Sequence, residues 1–335
     1  MAKKHFITKE TSRAHHTYEK WKGAVRYRLT NDYMFRAVMQ KNKNVLKHLI
    51  CIITGIDADM VTDVDICNPI ELGEEMNSKT CILDIKVLLN KKQYINIEMQ
   101  IVKQRYWKER SLTYLCRTYN NLDEGQDYAD VVPALQISIL DFDLFEDVEE
   151  LLSKYYLINE NPEYHNRYSD DLGIFVLNLR QIDNEKVIQK EEHSELYQWA
   201  KLFRAESWEE LCMLAKQNET IDECVYTMAQ LSEDEKIQMQ CEARKDNLAI
   251  EIGIRKRAMR EGHEEGRKQG LKQGLEQGLE QGLEQGLEQG HKQGALDKAR
   301  EIAKGLLDVL DKPTIAEKTG LSLEDIEELE QERIL

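Results

Sequence analysis

Between Cys81 and Ile101 the chain alternates, CILDIKVLLNKKQYINIEMQI, and no other stretch narrows the fold as far. Ile85, Val87, Leu89, Ile95, Ile97, Met99 and Ile101 fall on odd positions. Asp84, Lys86, Leu88, Tyr94, Asn96, Glu98 and Gln100 fall on even ones. Strand side chains point to opposite faces with a period of two, so the pattern predicts two strands with one apolar face. Asn90-Lys91-Lys92 reads as a three-residue turn joining them into a hairpin. The second face is then either functional or merely solvated.

The flanking segments supply the rest of an α/β or α+β architecture. Residues 31–54 place Phe35, Val38, Met39, Val45, Leu46, Leu49 and Ile50 near helical spacing, with Gly55 as a stop. That predicts one or two helices ahead of the hairpin. Residues 56–72 read as loop and short strand, and 102–122 return to a helical pattern. Val131–Leu140 and Gly173–Leu179 are short runs rich in strand formers. From about 186 to 260 the chain is charged and helical in character, anchored by Trp199, Phe203, Trp208, Leu211 and Leu214.

Glycine recurs every four residues from Gly262 through Gly294, nine times, with GLEQ in the central units. As a helix, each unit advances about 400°, so the glycine stripe drifts about 40° per unit. Interior glycines cost roughly 1 kcal/mol each relative to alanine. Such a segment is either a loose linker or a helix whose glycines admit a close partner. Leu271, Leu275, Leu279, Leu283 and Leu287 form a parallel stripe suited to self-association. The last block, with TGLSLEDIEEL, has a helix–Gly–helix cadence, but Glu324, Asp325, Glu327, Glu328 and Glu330 would be repelled by phosphate. It reads as a small packing or dimer module, not a DNA reader.

Charge separates the two ends of the chain. The net charge of −16 conceals +8 in residues 1–120 and −24 in the remainder. A basic arm, eight Lys or Arg in the first 30 residues against two Glu, suits a phosphate backbone. Seven widely spaced cysteines without a C-x-x-C pair point away from a disulfide framework and fit a reducing cytoplasm. The longest uncharged apolar run, Leu49–Ile56, is too short for a membrane span, and no secretory h-region is visible. No P-loop, GxGxxG, G-x-S-x-G or H-E-x-x-H pattern is present, which leaves out the enzymes built on them.

The hairpin register sets Asp84 roughly opposite Glu98 on the even face, with Gln100 and Lys86 beside them. Two carboxylates on adjacent strands can hold a hard divalent cation, and Mg²⁺ takes one or two carboxylates, carbonyls and waters. The plainer reading is a solvated polar face. Arg105, Lys108 and Arg110, on the helix that follows, are candidate phosphate contacts, with surface ion pairing as the alternative.

Asp84, the Glu98-Met99-Gln100 run and the preceding Asn31-Asp32-Tyr33-Met34-Phe35-Arg36 resemble the PD-(D/E)XK nuclease superfamily. More narrowly the chain is similar to the recombination-promoting nuclease (Rpn) and putative transposase group. The similarity continues through Arg110 and Tyr114, the strand ending Ile137-Ser138-Ile139-Leu140, and the glycine-repeat tail. It implies a restriction-endonuclease-like core, a mixed sheet flanked by helices, and Mg²⁺-dependent hydrolysis of DNA. On that resemblance Asp84, Glu98 and the Met99 carbonyl ligate the metal, and Asp32 completes the acidic site. Gln100 stands where lysine is commoner; it can only hydrogen-bond, and Lys86 is the candidate for the missing positive charge.

The resulting expectation is a basic arm (1–26), a nuclease-like domain (27–185), a helical extension (186–261), the repeat (262–294) and a helical module (295–335). The expected function is a Mg²⁺-dependent DNA endonuclease of recombination or mobile-element contexts, cytoplasmic, with a homo-oligomer formed through 262–335. The alternative is a catalytically weak nuclease fold kept for DNA binding or self-assembly.

Overall fold

A computed structural model describes residues 16–67 and 85–334. Asp84 and most of the basic arm lie outside the described residues. The first helical segment is two helices, α1 (Asp32–Lys41) and α2 (Lys43–Thr54), because asparagine caps both. The Asn31 carboxamide accepts from the Tyr33 and Met34 amides, and Asn42 does the same for Asn44 and Val45. Gly55, at φ 82°, ends α2 in the left-handed conformation that glycine adopts without penalty.

Six strands follow: β1 (Val64–Ile66), β2 (Ile85–Leu89), β3 (Gln93–Gln100), β4 (Ala134–Leu140), β5 (Leu152–Tyr156) and β6 (Leu172–Asn178). They form one mixed sheet in the order β1-β2-β3-β4-β6-β5. The β2–β3 hairpin pairs Ile85 with Ile97 and Leu89 with Gln93. Its turn holds Asn90 and Lys91 at φ 50° and 57°. The Asn90 side chain fixes it, accepting from Thr62 N at 2.8 Å and donating to Met60 O at 2.8 Å. β3, β4 and β6 are mutually parallel, and β3 and β4 are joined through α3 (Trp107–Tyr119).

Four helices succeed the sheet strands, α4 (Glu185–Glu191), α5 (Glu195–Arg204), α6 (Trp208–Ala215) and α7 (Glu219–Ser232). The long α8 (Glu235–Leu306) contains the whole glycine repeat, and α9 (Lys312–Thr319) and α10 (Leu323–Ile334) end the chain. The repeat is therefore helical. Among the described residues no helix is long and apolar enough to cross a membrane.

Residues 1–252 and 253–335 form two compact units. In the first, the odd face of the sheet (Ile95, Ile97, Met99, Ile137, Ile139, Phe175, Leu177) shares one core with α1, α2 and α5–α7. The helical residues beyond 185 thus belong to the core of the sheet unit, with Trp199, Phe203 and Leu211 wholly buried in it. The other face is covered by α3, where Trp107 packs with Leu140, Phe142 and Val176. Both faces of β3 are buried from Ile95 to Gln100, so its polar side chains do not form a solvated surface. In the second unit Ala303, Ile315, Leu321, Ile326 and Leu329 make a small core.

Candidate active site

β3 carries Asn96, Glu98 and Gln100 on the face that α3 covers, and all three are buried. Glu98 has no solvent exposure at all. A carboxylate taken wholly out of water is costly unless a charge or hydrogen-bond donor meets it. Arg110, in the first turns of α3, does so: its Nη2 lies 2.6 Å from Glu98 Oε1. The guanidinium also donates from Nη1 to Gln104 Oε1 at 3.1 Å. Its carbon lies 5.1 Å from the Tyr114 ring centre and 5.7 Å from that of Trp107. Arg110, grouped with phosphate contacts in the sequence, is instead turned inward, because the buried carboxylate attracts it more than solvent does.

The register aligns Glu98 with Ser138 and Asn96 with Gln136 on β4. Asn96 Nδ2 donates to Gln136 Oε1 at 2.8 Å. The Ser138 hydroxyl and the Gln136 Nε2 are buried with no hydrogen-bond partner among the described residues. Gln100 Nε2 donates to the Val102 carbonyl at 3.1 Å. Lys86 pairs in register with Asn96 on the same face, and its ammonium sits 4.5 Å from the Tyr94 ring centre. Met99 points its side chain into the odd-face core. Arg105 and Lys108 are exposed and lie over the rings of Tyr106 and Phe145, each 5.3 Å away.

At the end of β3 a cavity of about 190 Å³ opens, lined by Arg26, Arg28, Asp32, Gln100, Arg244 and Lys245 among others. Asp32 is the first residue of α1, placed by the Asn31 cap. Its Oδ2 lies 2.5 Å from Arg244 Nε, and its buried Oδ1 has no hydrogen-bond partner among the described residues. Burial pushes the Asp32 carboxyl above the ordinary carboxylate range, opposed by Arg244 and by the Tyr33 amide. Arg26 pairs with Glu242 at 2.9 Å and Arg28 with Glu206 at 2.5 Å.

The predicted site residues therefore fall into two neighbourhoods of one strand. Glu98 and Lys86 share the face under α3, with Arg110 on Glu98, whereas Asp32, Met99 and Gln100 line the cavity at its end. Asp84 lies outside the described residues. Among the described residues no three His, Cys, Asp or Glu side chains cluster as a metal cage. The donor chemistry nonetheless suits a hard divalent cation: a buried carboxylate beside the Ser138 hydroxyl, which has no hydrogen-bond partner among the described residues, both oxygen donors. Arg26, Arg28 and Arg244 were invisible as site residues in the sequence, since no periodicity links residue 32 to residue 244.

The family model described as PD-(D/E)XK nuclease family transposase matches residues 29–249. That span begins just before α1 and ends within α8, taking in both the sheet and the helices that complete its core. No curated protein and no solved structure shows a match to the chain.

Proposed function

The chain belongs to the PD-(D/E)XK nuclease family transposases, and on that premise we propose that it is a Mg²⁺-dependent DNA endonuclease. The observation that supports this reading best is Glu98, a wholly buried carboxylate on the strand whose end opens into a cavity lined by cations. Structural strands rarely carry such a group, because it adds desolvation cost without apolar burial.

Glu98 and Asp84 would hold the cation, with the Met99 carbonyl. Asp84 precedes Ile85 in the sequence, and Ile85 pairs with Ile97, the neighbour of Glu98. Mg²⁺ held there would stabilise charge on the phosphate oxygens and lower the pKa of an attacking water. Gln100 orients that water by hydrogen bonding, and Lys86 adds positive charge on the same face. Asp32 is the further acid at the strand end. Arg26, Arg28, Arg244 and Lys245 receive a backbone phosphate, while Arg105 and Lys108 contact the duplex further along. Cytoplasmic location and a role in recombination or mobile elements complete the proposal.

Nicking of supercoiled plasmid, with Mg²⁺, with Ca²⁺ and with EDTA, tests it. Mg²⁺-dependent nicking that Asp84→Ala and Glu98→Ala each abolish, in folded proteins that still bind DNA, is the expected result. Equal nicking by wild type and the double variant would sink the reading.

A second reading is favoured by Gln100, whose amide is committed to the Val102 carbonyl where lysine is commoner. On it the chain is a nuclease fold retained for DNA binding and for self-assembly through residues 262–335. DNA retardation without nicking under any ion would favour it.

A further inference from the structure

We propose that Arg110 is the internal counter-ion of Glu98, holding the carboxylate when no divalent cation is bound and competing with the cation for it. The inference rests on the nuclease reading, because it takes Glu98 as the residue that holds the cation.

Glu98 has no solvent exposure, so an ionised carboxylate there is costly without a positive neighbour. Arg110 supplies one, with its Nη2 at 2.6 Å from Oε1. A cation bound to the same carboxylate would lie within a few ångströms of the guanidinium. Like charges shielded from water repel strongly, so both cannot keep their positions. Arg110 is built to yield. It is anchored independently by Gln104 Oε1 and lies over the faces of Tyr114 and Trp107. Those contacts keep the guanidinium partnered after it leaves Glu98. Its side chain is also 18% exposed, whereas the carboxylate is not exposed at all. The arginine can therefore turn toward solvent, but Glu98 cannot follow it.

Competition and scaffolding differ in sign. If Arg110 merely props up the site, removing it weakens cation binding. If it competes, removing it strengthens cation binding while lowering stability in the absence of cation.

The test uses the full chain and Mn²⁺ titration calorimetry at pH 8, with thermal melting in EDTA and in saturating Mg²⁺. Arg110→Met is expected to bind Mn²⁺ about tenfold more tightly than wild type. It should melt lower in EDTA and regain more on Mg²⁺ addition than wild type does. Arg110→Lys, which keeps the charge but loses the planar fork, should fall between the two and covers the case in which the Met variant does not fold. Glu98→Gln should abolish the titration in either background. Unchanged or weaker Mn²⁺ binding in both Arg110 variants would overturn the proposal alone. Absence of Glu98-dependent binding in wild type and variants alike would overturn the nuclease reading with it.

Discussion

Arg244 Nε meets Asp32 Oδ2 at 2.5 Å across 212 residues of sequence, tying the beginning of α8 to the first turn of α1. The helical segment after the strands completes the cavity at the end of β3, and the family match, which runs on to residue 249, includes it. The pair also sets up two measurable consequences.

The first is a pH dependence. Burial, the largest influence on Asp32, raises its carboxyl above the usual range, and Arg244 only partly offsets that. A carboxyl raised on folding binds its proton more tightly in the native state. Stability attributable to it is therefore greatest below the ordinary carboxylate value and falls as pH rises toward the raised value. Asp32→Asn removes this dependence. Urea unfolding should show the variant gaining on wild type from about pH 4 upward, by at most about 1.4 kcal/mol per pH unit. A difference that stays constant between pH 4 and pH 7 would contradict the assignment. The same variant should lose nicking, separating what Asp32 does for function from what it costs in stability.

The second concerns the arginine. Arg244→Ala leaves the Asp32 carboxylate buried without its nearest counter-charge, and should cost about 2 kcal/mol at neutral pH. Adding Asp32→Asn should restore part of that loss, because the stranded charge is gone. In a double-mutant cycle the effects of the two substitutions should then fail to add. Additivity within about 0.5 kcal/mol would show that the pair is not coupled in solution.

How much of this was legible beforehand depends on the range of the interaction. The β2–β3 hairpin, its turn at 90–92 and the strands around 134–140 and 172–178 follow from local periodicity and turn chemistry. Gly55 reads as a helix stop, and it is one, and of the one or two helices that the spacing allows, the polar run 40–44 and the Asn42 cap give two. The even face of β3 reads as either functional or solvated because Asn96, Glu98 and Gln100 are polar, and α3 covers it. Alternation reports which residues share a face and says nothing of what lies on that face. β5 escapes for the opposite reason: Leu152–Tyr156 is only partly buried and has no strict alternation. Arg110 was legible as a residue of interest and not as the partner of Glu98, since a helix surface pattern gives no depth.

The cysteines offer a check on the same core. Cys224 is completely enclosed, and burial drives its thiol pKa far upward. Cys241, beside Asp32 and Glu242, is pushed up to about 12, chiefly by burial. Thiolate is the reactive species, so near pH 8 Cys241 should react roughly a thousandfold more slowly than an unhindered cysteine. Cys116 is exposed on α3. Timed alkylation followed by peptide mass spectrometry should label Cys116 in the native protein, and Cys224 and Cys241 only on unfolding. Early labelling of Cys241 would mean that the Asp32 neighbourhood is open.

The glycines of α8 allow helix formation and assembly to be separated. A Cβ added at Gly278 or Gly282 meets nothing within 4 Å in a single chain. Gly278→Ala and Gly282→Ala should therefore each stabilise the helix by about 1 kcal/mol, visible as a higher melting temperature for the helical circular dichroism. Leu275 and Leu279, both 74% exposed, lie beside these glycines and supply the apolar surface proposed for self-association. Because the stripe turns about 40° per unit, a straight neighbouring helix can follow it for only about three units. Contact should thus be a local crossing, not a long coiled coil. Leu275→Gln with Leu279→Gln should lower the sedimentation coefficient of an assembly while leaving helix content unchanged. Alanine at the two glycines should weaken the same assembly if helix backbones meet there, despite strengthening the isolated helix. A particle mass that is monomeric in wild type and indifferent to all four substitutions would remove the self-association proposal and leave the repeat as a solvated helix.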